Sequence, residues 1–212
     1  MTLRIDHTER GIALLHVVLL LAMVTAAAGG AATVTRIEIH ISQFQRGERD
    51  AAYAAQAMLA AALQELDRTA NWDSVLAGGT HAGFADGPNT VARQIPGGGT
   101  VTVCCGAGSM TARARAASGV AWEPYAWQSV SGLLNVPEAP RQYVVAWVSD
   151  DPDDADGNSA ADSNGRLLVR GEAASPLGLR KTFELLVERA PLDPLTGTRP
   201  QGLRILSWQA GR

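Results

Sequence analysis

No proline occurs before Pro88 in this chain of 212 residues. Proline interrupts a helix because it lacks a backbone N–H and its ring clashes with the preceding turn. Charge is missing near the N-terminus as well: no Asp, Glu, Lys or Arg lies between Gly11 and Thr35, where His16 is the one titratable side chain. These two absences predict a long apolar helix at the start of the chain.

The sequence also lacks the patterns of several functional classes. Its net charge is −3, and its 18 Lys and Arg residues are scattered rather than clustered, so we expect no nucleic-acid partner. None of the four histidines is paired at metal-binding spacing, and the nucleophile-elbow, phosphate-loop and zinc-protease motifs are absent. We therefore expect a protein that is not an enzyme.

Cysteine is scarce, and the two that occur, Cys104 and Cys105, are adjacent. They form neither a zinc motif nor a thioredoxin-like motif. Thiols tend to pair in an oxidising compartment, but neighbouring Cα atoms are closer than those of most disulfides, so a vicinal disulfide is uncommon. The alternative places one thiol in the core and the other outside, as strand alternation would. The sequence leaves both possibilities open.

The uncharged segment is long enough to cross a bilayer. At about 1.5 Å per residue, a helix over residues 12–35 exceeds the roughly 30 Å of hydrocarbon. A secretory signal cleaved after Ala28 is the alternative, and it would release a secreted periplasmic binding or hydrolytic domain. The mixed charges of Arg4, Asp6, Glu9 and Arg10 and the length of the apolar run favour the membrane helix.

Helical periodicity continues beyond this segment. Over residues 36–72 apolar side chains recur three or four positions apart, which predicts an amphipathic helix with one buried stripe. Asn71 and the glycine pair at 78–79 predict that the helix ends between Asp67 and Ser74. The stripe comprises Ile37, Ile41, Phe44, Ala51, Ala55, Met58, Ala62 and Leu66.

The N-terminal residues resemble a known family. The run from Glu9 through Gly11 and Ile12 to Leu15, the uncharged span and the amphipathic continuation are similar to the start of type IV prepilins. The segment at residues 54–57 and Asn71-Trp72 are closest to minor pilins of the PilX type and to the tip pseudopilin of type II secretion systems. The resemblance covers about the first eighty residues.

The resemblance implies a function and a location. In this family a prepilin peptidase cuts after the glycine, here Gly11, removes the leader, here residues 1–11, and methylates the new N-terminus, here Ile12. The subunit would be a single-pass protein of the bacterial inner membrane with a periplasmic C-terminal domain. Its partners would be other pilin or pseudopilin subunits, which associate through the N-terminal helices into a pilus or pseudopilus.

His16 departs from the pattern of major pilins, which carry a glutamate at this position. A carboxylate there neutralises the terminal ammonium of a neighbouring subunit inside the apolar filament core, where an unpaired charge is costly. Histidine is neutral or positively charged and does not replace it. The related tip subunits also lack the glutamate, so the resemblance implies a minor subunit that primes or caps the filament. The other interpretation is a tolerated polar residue facing another helix.

Residues 73–212 read as a β-rich globular domain. Short β-like runs separated by Gly, Pro and Asp predict strands at residues 100–104, 142–149, 166–171, 180–189 and 203–209. An antiparallel sheet covered by the helix would give an α+β fold. Residues 106–135 are expected to be irregular. Trp122, Tyr125 and Trp127 are expected to form a small core under this segment, and an exposed patch that binds a partner is the alternative. Trp72, Trp147 and Trp208 are expected to pack as well.

An acidic segment between two predicted strands is the strongest candidate for a metal site. Carboxylates and amides crowd into residues 149–165, and calcium prefers six to eight hard oxygen ligands. Pro152 breaks the EF-hand spacing, and a solvated acidic hairpin tip is the alternative. The candidate ligands are Asp151, Asp153, Asp154, Asp156, Asn158 and Asp162.

Overall fold

The structure is a computed structural model that describes residues 7–95, 97–137, 141–176, 178–191, 193, 195–196, 200 and 202–211, with residues 7–11 described by their backbone alone. It divides into two compact units, Met1–Arg46 and Gly47–Arg212. The first six residues of the predicted leader lie outside the described residues.

One helix begins the described chain. Helix α1 spans His7–Arg68, and Ala- and Leu-rich runs without proline favour such a length. It ends inside the predicted interval, where the Thr69 N–H bonds the Leu66 carbonyl at 3.1 Å and the Thr69 hydroxyl bonds the Glu65 carbonyl at 2.9 Å. A short helix α2, Asp73–Leu76, follows.

The rest of the second unit is built on a five-stranded antiparallel sheet in which sequential strands are neighbours, in the order β3-β4-β5-β6-β7. The α+β fold is therefore confirmed. The remaining elements are β1 Arg93–Gln94, β2 Thr100–Val101, α3 Met110–Ser118, β3 Glu123–Ser129, α4 Val130–Leu134, β4 Tyr143–Asp150, β5 Arg166–Ala174, β6 Arg180–Arg189 and β7 Leu203–Ala210.

The expectation of an irregular segment at 106–135 is wrong, since it contains α3, β3 and α4. Helix α3 begins at Ser109, whose hydroxyl accepts the Ala112 N–H, and ends at Gly119, whose φ of 73° suits glycine. Strand β3 tolerates Pro124 because it is an edge strand with a register shift at that residue. The strand predicted at 100–104 is limited to Thr100–Val101, which pairs with Arg93–Gln94.

One face of the sheet packs against the part of α1 that belongs to the second unit. Strand residues of this face, such as Ala146, Val169 and Leu185, share a buried cluster with the lower part of the predicted stripe: Ala51, Ala55, Met58, Ala62 and Leu66. The upper part was predicted wrongly, because Ile37, Ile41 and Phe44 are 53%, 52% and 52% exposed. The described part of the first unit consists of α1 alone, so no other element of that unit covers these three side chains.

The opposite face of the sheet carries a second apolar cluster beneath α3. Trp122, Trp127, Tyr143 and Trp147 pack there with Met110 of α3. Tyr125 and Trp72 are buried in the first cluster. The expected small core under residues 106–135 is therefore confirmed for Trp122 and Trp127 but not for Tyr125, while Trp72 and Trp147 pack as expected. The expectation of packing is wrong for Trp208, which is 48% exposed on the edge strand β7 and has its ring 5.4 Å from that of Phe183.

Candidate functional sites

The apolar helix is the first candidate site. From Ile12 onward, α1 is long and apolar enough to cross a membrane. Its large apolar side chains in this segment are exposed, Leu14 by 68% and Leu21 by 67%. The hydroxyls of Thr25, Thr33 and Thr35 each bond the carbonyl four residues earlier, at 2.8, 2.9 and 3.0 Å. Because these hydroxyls find their hydrogen-bond partners within the same helix, they can be accommodated in the apolar interior of a membrane.

The predicted processing and assembly residues lie in the first turns of this helix. Gly11 and Ile12 are both helical, and the Ile12 side chain is 60% exposed. The His16 Nδ1 lies 2.8 Å from the Ile12 carbonyl oxygen, so Nδ1 carries the proton in this geometry and donates. The His16 imidazole is thus hydrogen-bonded to Ile12, which would become the N-terminal residue after the predicted cleavage.

The acidic segment forms an ordered loop between β4 and β5. Each of four side chains accepts a hydrogen bond from the backbone N–H two residues on: Asp151 from Asp153, Asp154 from Asp156, Asp156 from Asn158, and Asn158 from Ala160. The Asp154 carboxylate also accepts the Ser163 N–H at 2.8 Å and the Ser163 hydroxyl, and these bonds lower the pKa of Asp154. The chain's own N–H groups therefore balance part of the negative charge.

Two more of the candidate calcium ligands are bonded to protein partners, and the side chains of these two are buried. Asp151 is buried, and besides the Asp153 N–H it accepts the Asn164 amide at 3.3 Å. The Asp162 carboxylate, only 1% exposed, forms an ion pair with Arg189 at 2.8 Å and accepts the Gly165 N–H at 2.7 Å. Sequence spacing gave no signal for the Arg189 partner.

The structure brings Asp154 and Asp156 together with Asp150, which the sequence prediction did not include. One carboxylate oxygen from each lies within 4.8 Å of the other two. Burial raises the pKa of Asp150 to about 6, and repulsion from Asp154, Asp156 and Asp162 acts in the same direction. The hydrogen bond from the Asp151 N–H lowers this pKa and offsets part of the rise. Asp150 and Asp154 line an open cavity of about 310 Å³ with residues of the α3–β3 connection. This arrangement of three carboxylates suits a cation.

The cysteines form a vicinal disulfide between Cys104 and Cys105. The alternation of a strand does not apply to them, because β2 ends at Val101. Cys105 has a φ of 78°, which few non-glycine residues adopt, and it is exposed. The pair lines a shallow cavity with Ser109, Arg115 and other residues around the start of α3.

Comparisons of this chain with protein-family models, with curated proteins and with solved structures return no match, so no relative's activity carries over to it.

Proposed function

We propose that this chain is a minor subunit of a type IV pilus-like filament, either a pilin or a type II secretion pseudopilin. The observation that carries the proposal is the uninterrupted helix α1. Its residues 12–35 are uncharged and exposed, and apolar residues of its second half, from Ala51 to Leu66, form part of the core of a sheet domain. A helix with these two halves can be held in a membrane first and packed among other helices later.

Exposed apolar side chains beyond the uncharged segment support this role. Ile37, Ile41 and Phe44 follow Arg36 along α1, and each is more than half exposed. Contiguous apolar surface on a protein marks an interaction site. Neighbouring helices of other subunits would cover this stripe in a filament, and the membrane would cover the preceding residues before assembly.

The proposal includes processing and location. A prepilin peptidase would cut between Gly11 and Ile12, and the mature chain would be a single-pass inner-membrane protein with its sheet domain in the periplasm. The subunit would act by assembly and not by catalysis. The uncharged segment has room for one membrane crossing, in keeping with this topology.

We further propose that His16 restricts the subunit to the filament tip. A subunit in the shaft needs a carboxylate to neutralise the ammonium of its neighbour, since a buried unpaired charge costs several kcal/mol. His16 lacks a carboxylate, and its Nδ1–H already donates a hydrogen bond to the Ile12 carbonyl. A position with no such neighbour tolerates this residue.

Immunogold labelling of sheared filaments tests the tip position. We expect gold at filament ends for the wild-type chain, and gold along the shaft for His16→Glu, because the new carboxylate permits internal positions. His16→Gln, which restores no charge, is the matched control and should stay at the ends. Wild-type chain distributed along the whole filament would contradict the tip position, and wild-type chain absent from filaments would contradict assembly itself.

Calcium binding by the acidic loop is a separate proposal, supported by the convergence of Asp150, Asp154 and Asp156. A cation among them would relieve the repulsion between their charges. We expect the full chain in neutral detergent to bind calcium with a dissociation constant of about 0.1–1 mM, as extracellular sites do. Asp151 and Asp162, which were also predicted as ligands, would then stabilise the loop through their protein partners instead of binding calcium.

Titration calorimetry with calcium chloride tests this site. Asp154→Asn should weaken calcium binding about tenfold or more, because affinity in oxygen-ligand sites depends on the number of charged ligands. Asp50→Asn removes the same charge from α1, outside the loop, and should leave binding unchanged. Absence of binding heat at millimolar calcium, or equal affinity in Asp154→Asn and wild type, would refute the calcium proposal.

A further inference from the structure

A cavity rich in arginine lies on the α3 side of the sheet in the second unit. Its volume is about 250 Å³. Helix α3, strands β5 and β6 and the residue after β7 line it. The lining residues that matter are Arg113, Arg170, Glu172, Arg180 and Thr182.

Arg170 is the innermost cation of this cavity. Its side chain is 6% exposed, with Nη1 at 2.6 Å from Glu184 and Nη2 at 3.7 Å from Glu172. Its guanidinium carbon also lies 5.9 Å from the Trp122 ring centre. The Nε is buried and has no hydrogen-bond partner among the described residues. A buried cation with an unsatisfied donor is costly unless an acceptor reaches it.

The two carboxylates near the cavity are already engaged. Glu184 also accepts the Gln209 amide at 3.0 Å, and Glu172 is shared between Arg170 and Arg180, whose Nη1 is 2.9 Å away. Among the described residues, three guanidinium groups thus face two carboxylates, which leaves one positive charge without a partner there.

Arg113 is exposed, and it is the one of these three arginines without an ion-pair partner among the described residues. Its guanidinium donates to the Gly108 carbonyl, and within the described part of the chain no carboxylate lies at ion-pair distance from it. Loss of solvent and repulsion from Arg180 lower the pKa of Arg113, while Glu172 raises it. Arg113 and Arg180 line the same cavity, so an anion bound between them would reduce the repulsion between their charges.

We propose that this cavity binds a carboxylate, with Arg113 and Arg180 as its direct partners and Arg170 as the buried charge behind them. The guanidinium fork matches the two oxygens of a carboxylate. A single negative charge balances the excess, whereas a phosphate dianion would also face the carboxylates of Glu172 and Glu184. The carboxylate belongs either to a small free acid or to an acidic side chain of a second copy of this chain. The site does not depend on the proposed assembly role.

The test is a titration of the full chain, labelled with ¹⁵N-arginine in neutral detergent, with sodium acetate and with sodium chloride at equal ionic strength. We expect the Nε–H resonances of Arg113 and Arg180 to shift saturably with acetate and to shift much less with chloride. Equal or non-saturating shifts with the two salts would overturn the proposal.

Variants locate the binding. Arg113→Gln should weaken acetate binding at least tenfold, and Arg113→Lys, which keeps the charge without the fork, should weaken it several-fold. Arg141→Gln removes the same charge from an exposed residue that does not line the cavity and should bind acetate as the wild type does. Wild-type affinity in both Arg113 variants would overturn the assignment, and the lysine variant keeps the test valid if the glutamine variant does not fold.

Sedimentation of the same samples identifies the source of the carboxylate. If a second copy supplies it, saturating acetate and Arg113→Gln should both shift the chain toward smaller species. If a free acid supplies it, the sedimentation coefficient should not change while acetate still binds. Both results require the arginine site.

Discussion

Replacing Gly171 with alanine is expected to lower the free energy of unfolding by about 3 kcal/mol, the upper end of the cost of overpacking. Gly171 lies in β5 directly beneath α1. A Cβ at this position would lie 2.5 Å from Leu59 Cγ and 3.1 Å from the Ala55 carbonyl oxygen. A side chain can move away, but the helix backbone cannot do so without loosening its packing on the sheet.

Urea unfolding of the full chain in neutral detergent, followed by tryptophan fluorescence, measures this change. Gly106→Ala is the matched control, because a Cβ there meets nothing within 4 Å, and it should change stability little. In a Leu59→Ala background the Gly171→Ala substitution should cost much less, since the missing side chain leaves room for the new methyl. A cost below about 0.5 kcal/mol in the wild-type background, within the range of surface substitutions, would contradict the described helix–sheet packing.

Replacing Arg189 with methionine is expected to cost about 3–5 kcal/mol, because it leaves a buried carboxylate unpaired. Arg189 forms an ion pair with Asp162, whose side chain is 1% exposed. It also stacks over Trp72 at 3.9 Å and donates to the Ala70 carbonyl at 3.1 Å. One side chain thus joins the end of β6, the acidic loop and the segment that follows α1.

The matched control for this prediction is Arg204→Met. Arg204 pairs with Glu188 at 2.7 Å but is 72% exposed, so its loss should cost less than about 1 kcal/mol. Adding Asp162→Asn to Arg189→Met should recover part of the stability, because the unpaired charge is gone. Urea unfolding that ranks Arg204→Met as costly as Arg189→Met would show that the Asp162 pair is not a buried one.

Periodicity was enough to predict the elements with the strongest patterns. The strand predicted at 180–189 matches β6, and the end of α1 falls within the predicted interval. The elements of 106–135 were missed because α3 is short and is defined by its caps at Ser109 and Gly119, and because Pro124 argues against a strand unless its edge position is known. Periodicity predicted the apolar stripe of α1 but not which part of it is buried, because burial depends on the elements that pack against the helix.

The acidic loop shows the same limit at the level of single residues. Composition drew attention to the loop, but Asp150 was not among the candidate ligands, because its carboxylate joins those of Asp154 and Asp156 only in three dimensions. Asp162 looked like a ligand because it is acidic. Its partner Arg189 lies on β6, too far along the chain for any local pattern to reveal the pair.

The central claim is that the chain is processed and assembled as a prepilin, and the mass of its N-terminal peptide, isolated from the native membrane, tests this most directly. We expect a mature chain that begins at Ile12 with a methyl group on its amine and lacks residues 1–11. A chain that begins near Gly29 would instead show cleavage by signal peptidase, and an intact Met1 would show no processing. Either of these results would contradict the assembly of this protein as a pilin-like subunit.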